Sequence, residues 1–307
     1  MSRINCLILS KDRAPQLRLL LQSIKLFADG FFNKIKIIHT ASDDLYTQGY
    51  QKLISEKILD NLIWVEETDF IKDFVQSWAE GEDKYYTCGI VDDCVFHKRI
   101  PISPDQVIEL IEEDESIFCF SLRLGINTYV QNYSTRQYDP LFCEPPFPKP
   151  KFQPVQENHK DYEESVSCVK WNWKVREFSS NFGYPISLDG HIFRPMEMYT
   201  LCKFLENEGQ GIDNLRHWES QLAHNIRNLT LRQKMASFRQ SCLVSSANNC
   251  VQDPPMTNGT FYPTDQKELN DKYLDGEVLS LRKLEPQFQN INSAHTEFMY
   301  RFEQEEK

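Results

Sequence analysis

The chain has 307 residues, 40% hydrophobic and 26% charged, which is enough apolar material for a large folded domain and excludes a largely disordered protein. Its 34 basic and 45 acidic residues leave a net charge of −11, so no nucleic-acid partner is expected, although a divalent ion can still recruit an anionic substrate locally. The nine cysteines are scattered without a CxxC pair, which argues against zinc and thiol redox chemistry and for a reducing, cytoplasmic location.

The opening run MSRINCLILSKDR meets charge at Lys11, too soon for a signal-peptide core or a membrane span, so no transmembrane segment is expected there. Residues 4–9 read as a strand, and Leu17, Leu20, Leu21 and Ile24 then recur at helical spacing behind Pro15. A second strand over 35–39 is followed by an amphipathic helix marked by Tyr46, Tyr50 and Leu53. Further strands are expected over 61–65, 85–91 and 117–122. Before the last of these, Ser103-Pro104-Asp105-Gln106 combines an N-cap, a proline at the first helical position and a glutamine in the capping-box place. Strands alternating with helices predict an α/β fold over 1–125, with a mostly parallel sheet flanked by helices.

From about 127 to 170 this rhythm stops, and the proline-rich run 140–154 is expected to wrap the domain as an extended ordered loop, an SH3-type ligand being the alternative. An aromatic block with Trp171, Trp173, Phe178, Phe182 and Tyr184 leads into PISLDGHIF. Residues 126–240 read as a mixed, helix-rich, acceptor-side and catalytic part, and 241–307 as a C-terminal segment packed on one continuous unit. Residues 292–307 read as a charged helix docking by Phe298, Met299 and Phe302.

The sequence contains neither GxGxxG nor GxxxxGK[ST], so dinucleotide-binding and P-loop readings lose their main support. Asp92 and Asp93 follow a predicted strand, where open α/β sheets bind ligands, and their hard oxygens suit Mg²⁺ or Mn²⁺ bridging a diphosphate; a polar turn capped by one Asp is the alternative. Ser10, Lys11 and Arg13, at the end of the first strand, can meet a nucleoside or its phosphates, or else Ser10 or Asp12 caps the helix. Ser42 and Asp43, after the second strand, can accept a hydrogen bond from a base or ribose, or cap the next helix. Asp189 can take a proton from an acceptor hydroxyl and His191 can ligate a metal, whereas Asp-Gly by itself is most often a turn.

INCLILSKDRAPQLRLLLQSI and VDDCVF, with YPISLDGHIF, NNCVQDPPMTNG, LNDKYLDGE and SAHTEF, resemble the family-2-like GT-A glycosyltransferases, in an uncharacterised bacterial and viral branch. The resemblance runs through nearly the whole chain. It implies a GT-A-type Rossmann-like fold, a nucleotide-sugar donor with a UDP-sugar as first expectation, and a glycan or other hydroxyl acceptor. It also implies Mn²⁺ or Mg²⁺ and inversion of a hexosyl or deoxyhexosyl group at the anomeric carbon. Asp92 and Asp93 then lie in the metal region, with Cys94 where the Asp-x-Asp pattern has its second acid, so the metal rests on Asp93 or recruits His191. The family's acidic pair at a helix start has no obvious copy, which leaves Asp189 as candidate base and Glu219 in reserve. Trp171 or Trp173 is the expected platform for a sugar ring. A nucleotidyltransferase and a catalytically silent sugar- or nucleotide-binding module are the alternatives.

Overall fold

Ile4, Cys6, Leu7 and Ile8 are all buried, because the first strand has packed side chains on both of its faces. The structure is a computed structural model that describes residues 2–80, 84–128, 153–154, 168–176, 180–207, 215–246, 262 and 264–305. Strand β1 (Ile4–Lys11) runs parallel to β2 (Ile35–Thr40) on one side and to β4 (Tyr86–Val91) on the other, and β2 pairs in parallel with β3 (Leu62–Glu66). The helices between them are α1 (Ala14–Phe27), α2 (Asp44–Glu56) and α3 (Phe70–Ala79). The last is absent from the expectations above, although Asp69 caps it and Phe74, Val75 and Trp78 bury one face. Helix α4 (Pro104–Glu113) carries the full capping box: Ser103 accepts from the Gln106 N–H, and the Gln106 side chain accepts from the Ser103 N–H.

Beyond β5 (Cys94–Phe96), the main sheet is completed by β6 (Ile117–Ser121), β7 (Gln153–Pro154), β8 (Cys168–Asn172), β9 (His191–Phe193) and β10 (Lys234–Phe238). Among the described residues the strand order is β3-β2-β1-β4-β9-β6-β10-β8-β7. Strand β9 is antiparallel to both neighbours, while β10 runs parallel to β6, so the middle of the sheet is mixed. The rest of the sheet joins these parts without a break. Most of the proline-rich run lies outside the described residues; 153–154 form the edge strand β7, antiparallel to β8.

One face of the sheet carries α1 and α4 through Leu17, Leu20, Ile24, Val107 and Ile111. The other carries α3, α5 (Glu197–Asn207) and α6 (Leu215–Leu229) through Phe74, Trp78, Leu205, Trp218 and Leu222. Trp171 and Trp173 belong to this second core. Both are fully buried, with indole N–H groups donating to the carbonyls of Phe182 at 2.8 Å and Arg232 at 3.1 Å, which removes them as a sugar platform.

A third cluster seats the C-terminal part, made of β11 (Leu243–Ser245), α7 (Gln266–Leu274), β12 (Glu277–Leu279), α8 (Leu281–Leu284) and β13 (Phe302–Gln304). Residues 292–305 are extended, not the expected helix. Phe298, Tyr300 and Phe302 recur every second residue, the period of a strand, and all three pack on this cluster before β13 pairs antiparallel with β12.

Candidate active site

At the carboxyl end of β1 the chain turns through Asp12, whose φ of +56° lies in the left-handed region that Asp tolerates better than most residues. Its carboxylate accepts the Ser42 N–H at 2.7 Å, which ties the turn after β1 to the turn after β2. The next residue, Arg13, is buried and enters the loop after β4: its Nη1 donates to Asp92 Oδ1 at 2.9 Å and to Asp93 Oδ2 at 3.1 Å. The Lys11 N–H donates to Asp92 Oδ2 at 3.2 Å, and Ser10 Oγ lies 2.7 Å from Tyr50 Oη, which also accepts the Arg13 N–H. Two consecutive aspartates thus share one guanidinium.

Burial opposes the Arg13 charge, but Asp92 and Asp93 outweigh it and hold its pKa above the ordinary value. Burial raises the pKa of Asp92 against the pull of Arg13. Burial also pushes Asp93 up to about 7, with the Asp92 and Asp189 charges adding to it and Arg13 opposing.

The second group is built where β9 meets the carboxyl end of β6. Gly190 has a φ of +84°, and a Cβ there would lie 2.3 Å from Leu243 Cδ2, so only glycine fits the bend that presents Asp189. Arg123, just after β6 and fully buried, donates through Nη1 to Asp189 Oδ2 at 2.7 Å and through Nη2 to Ser187 Oγ at 3.2 Å. Burial would raise Asp189, yet the Arg123 guanidinium holds it below the usual carboxylate value. Glu219, from α6, behaves in the opposite way. Burial pushes its carboxyl up to about 8, the Asp189 charge adding, while the Leu188 N–H and Arg123 only partly oppose.

The C-terminal segment completes this edge. The Ser245 N–H donates to the Ala294 carbonyl at 3.0 Å and the Thr296 N–H to the Ser245 carbonyl at 2.9 Å, which holds His295 so that its Nε2 accepts from Arg123. Burial and Arg123 keep His295 neutral, lowering its pKa to about 3. Tyr300, from the same segment, lies near enough to Asp93, Arg13 and Asp92 to feel their charge.

The expected site residues therefore separate into groups. Ser10, Arg13, Asp92 and Asp93 meet directly, Asp189 adjoins Asp93 electrostatically, and Glu219 adjoins Asp189. Lys11 contributes its backbone, and its side chain stands exposed at the same edge. Ser42 donates its N–H to Asp12, and Asp43 accepts the N–H groups of Leu45 and Tyr46, so it caps α2. His191 is enclosed in β9, with Nδ1 3.3 Å from the Pro185 carbonyl. Cys94 is buried with its Sγ 3.3 Å from Ser245 Oγ, so the third position of Asp-Asp-Cys faces the core. Tyr50, Arg123, His295 and Tyr300 were not singled out by the sequence reading; of these only Arg123, just beyond a predicted strand's carboxyl end, had a positional signal.

No group of three or more His, Cys, Asp or Glu side chains converges to hold a metal among the described residues. The donor set still fits Mg²⁺ or Mn²⁺ of the kind bound by one or two carboxylates and completed by substrate phosphates and water. Asp93 is the suited ligand: its side chain is 16% exposed, and besides burial, which is the main cause of its raised pKa, the Asp92 and Asp189 charges act on it, so a cation there would favour its ionised form.

The mostly parallel sheet flanked by helices, with its acidic pair at the carboxyl end of a central strand, agrees with a Rossmann-like, GT-A-type architecture. No family model matches the chain, and no curated protein matches it. Among solved structures it is similar to S. aureus TarS, with a TM-score of 0.43 and 11% identity over 78% of this chain and 36% of that one. It is also similar to 4-diphosphocytidyl-2C-methyl-D-erythritol synthase from Anaerococcus prevotii, with a TM-score of 0.36 and 10% identity over 88% of this chain and 96% of that one. Mannosyltransferase PcManGT from Pyrobaculum calidifontis, solved with GDP-Man and Mn²⁺, gives a TM-score of 0.28 and 13% identity over 43% and 42% of the two chains. The chain spans only 36% and 59% of the two TarS structures it matches. With TM-scores below 0.5, these likenesses do not say what this chain does.

Proposed function

We propose that the chain is a cytoplasmic glycosyltransferase that moves a hexosyl or deoxyhexosyl group, with inversion, from a nucleoside-diphosphate sugar such as a UDP-sugar to a hydroxyl of a glycan or other acceptor. The observation that carries this reading is the Asp189–Glu219 pair. Two neighbouring carboxyl groups are pushed apart, Asp189 kept ionised by Arg123 and Glu219 raised by burial to about 8. A carboxylate with a pKa near the working pH is matched to accepting the proton of an attacking hydroxyl, so Glu219 takes the role of base ahead of Asp189.

Asp189, fixed by Arg123 and flanked by His295, is suited to orient acceptor hydroxyls and to stabilise positive charge developing at the anomeric carbon. At the turn after β1, the exposed Lys11 would meet the donor diphosphate beside the buried Ser10, and Arg13 keeps Asp92 and Asp93 in register. Asp93 would hold a divalent cation there, and that cation would offset the charge left on the departing nucleoside diphosphate. A base that takes the proton of the attacking hydroxyl as that oxygen bonds to the anomeric carbon suits a single displacement, hence inversion.

The test is release of nucleoside diphosphate from a panel of nucleotide-sugars, with Mn²⁺, Mg²⁺ or EDTA present. One donor should be turned over, EDTA should stop it, and Asp93→Ala should abolish the metal-dependent turnover. Release of pyrophosphate would instead mark nucleotidyl transfer, and donor binding without turnover would mark a silent module.

A further inference from the structure

The two most exposed large apolar side chains among the described residues are Leu231, 97% exposed, and Val175, 73% exposed. They stand on adjoining turns, Val175 just after β8 and Leu231 between α6 and β10. These turns are knitted together. The Trp173 N–H donates to the Gln233 carbonyl at 3.0 Å, its indole N–H donates to the Arg232 carbonyl, and Lys174 Nζ donates to the carbonyls of Arg227 and Thr230. Arg227 returns two hydrogen bonds, to the carbonyls of Lys174 and Arg176. The aliphatic tips are therefore held out on a rigid base.

Around them stand Lys174, Arg176, Arg227 and Arg232. Lys174 and Arg227 donate to backbone carbonyls, which positions the cations without cancelling their charge, and Arg232 pairs with Glu197 at 3.1 Å. This is a local basic excess on a chain whose net charge is −11. Two isolated aliphatic side chains within a ring of Lys and Arg have the composition of an interfacial anchor, the tips entering the acyl boundary and the cations meeting anionic head groups. A protein partner would more often call for a wider continuous apolar face.

We propose that this corner docks the protein on an anionic lipid bilayer. Since β10 runs parallel to β6, the corner lies at the amino-terminal edge of the parallel strands, opposite the carboxylates at their carboxyl ends. Strands of five or six residues separate the two edges by about 20 Å. Docking thus turns the carboxylate edge of the sheet away from the lipid, and it holds whatever reaction that edge performs.

Sedimentation of the full chain with vesicles of phosphatidylcholine, alone or mixed with phosphatidylglycerol, tests this. Binding is expected to the mixed vesicles only and to weaken as salt rises. The double variant Val175→Ser, Leu231→Ser should bind the mixed vesicles roughly tenfold or more weakly. Both side chains being exposed, its melting temperature should match that of the unaltered chain, and the single variant Leu231→Asp gives an independent reading. Absence of binding to either vesicle, equal binding to both, or undiminished binding by natively melting variants would overturn the proposal.

Discussion

Asp189 and Glu219 share one electrostatic neighbourhood, yet Arg123 lies 2.7 Å from Asp189, while Glu219 feels mainly burial and the Asp189 charge. If Glu219 is the base, it must lose its proton to act, so kcat/KM should rise with pH and level off above about 8. Glu219→Gln should keep donor binding and lose roughly a hundredfold or more in kcat, as measured by transfer rates at saturating donor. Asp93 carries a different consequence. Its folded pKa of about 7 exceeds the ordinary carboxylate value, so between about pH 4 and 7 the folded chain binds more protons than the unfolded chain. Its contribution to stability is therefore lost as pH rises. Asp93→Asn should melt higher than the unaltered chain near pH 8, with the difference closing near pH 4, while metal-dependent activity disappears. Equal melting temperatures at both pH values would refute the shifted pKa.

Among the elements, α4 and the bend before β9 show how local chemistry sets the site's frame. Ser103→Ala removes the N-cap acceptor of α4 and should cost about 1 kcal/mol, read from denaturant unfolding, with kcat unchanged because the helix lies away from the carboxylates. Gly190→Ala meets two penalties, a left-handed φ and a Cβ 2.3 Å from Leu243 Cδ2, and should destabilise by about 2 kcal/mol or more. It should also lower kcat, since Asp189 is set by that bend. The capping box could be read from four residues. The bend could be read as an Asp-Gly turn, whereas its left-handed φ and the Leu243 side chain packed over it belong to the folded chain.

On the scale of the molecule, the C-terminal segment both fills the third apolar cluster and delivers His295 to Arg123 and Tyr300 to the neighbourhood of Asp93. Removing residues 292–307 should expose the cluster around Val95, Val244 and Phe288, lower the melting temperature and abolish turnover, and activity surviving the truncation would exclude both residues from the chemistry. Strand and helix periods, caps and the position of Asp92-Asp93 after a strand are properties of short stretches, so the α/β class and the placing of the acidic pair at the carboxyl edge of the sheet were legible in the sequence. The charged tail misled because its acidic and basic residues suit a helix, whereas burial of Phe298, Tyr300 and Phe302 at every second position selects a strand. Which carboxylate is ionised depended on Arg123, 66 residues before Asp189, and the same guanidinium meets His295, which is 172 residues from it in the chain. Only the tertiary structure brings these groups together, and a pKa is set by what surrounds a group in space.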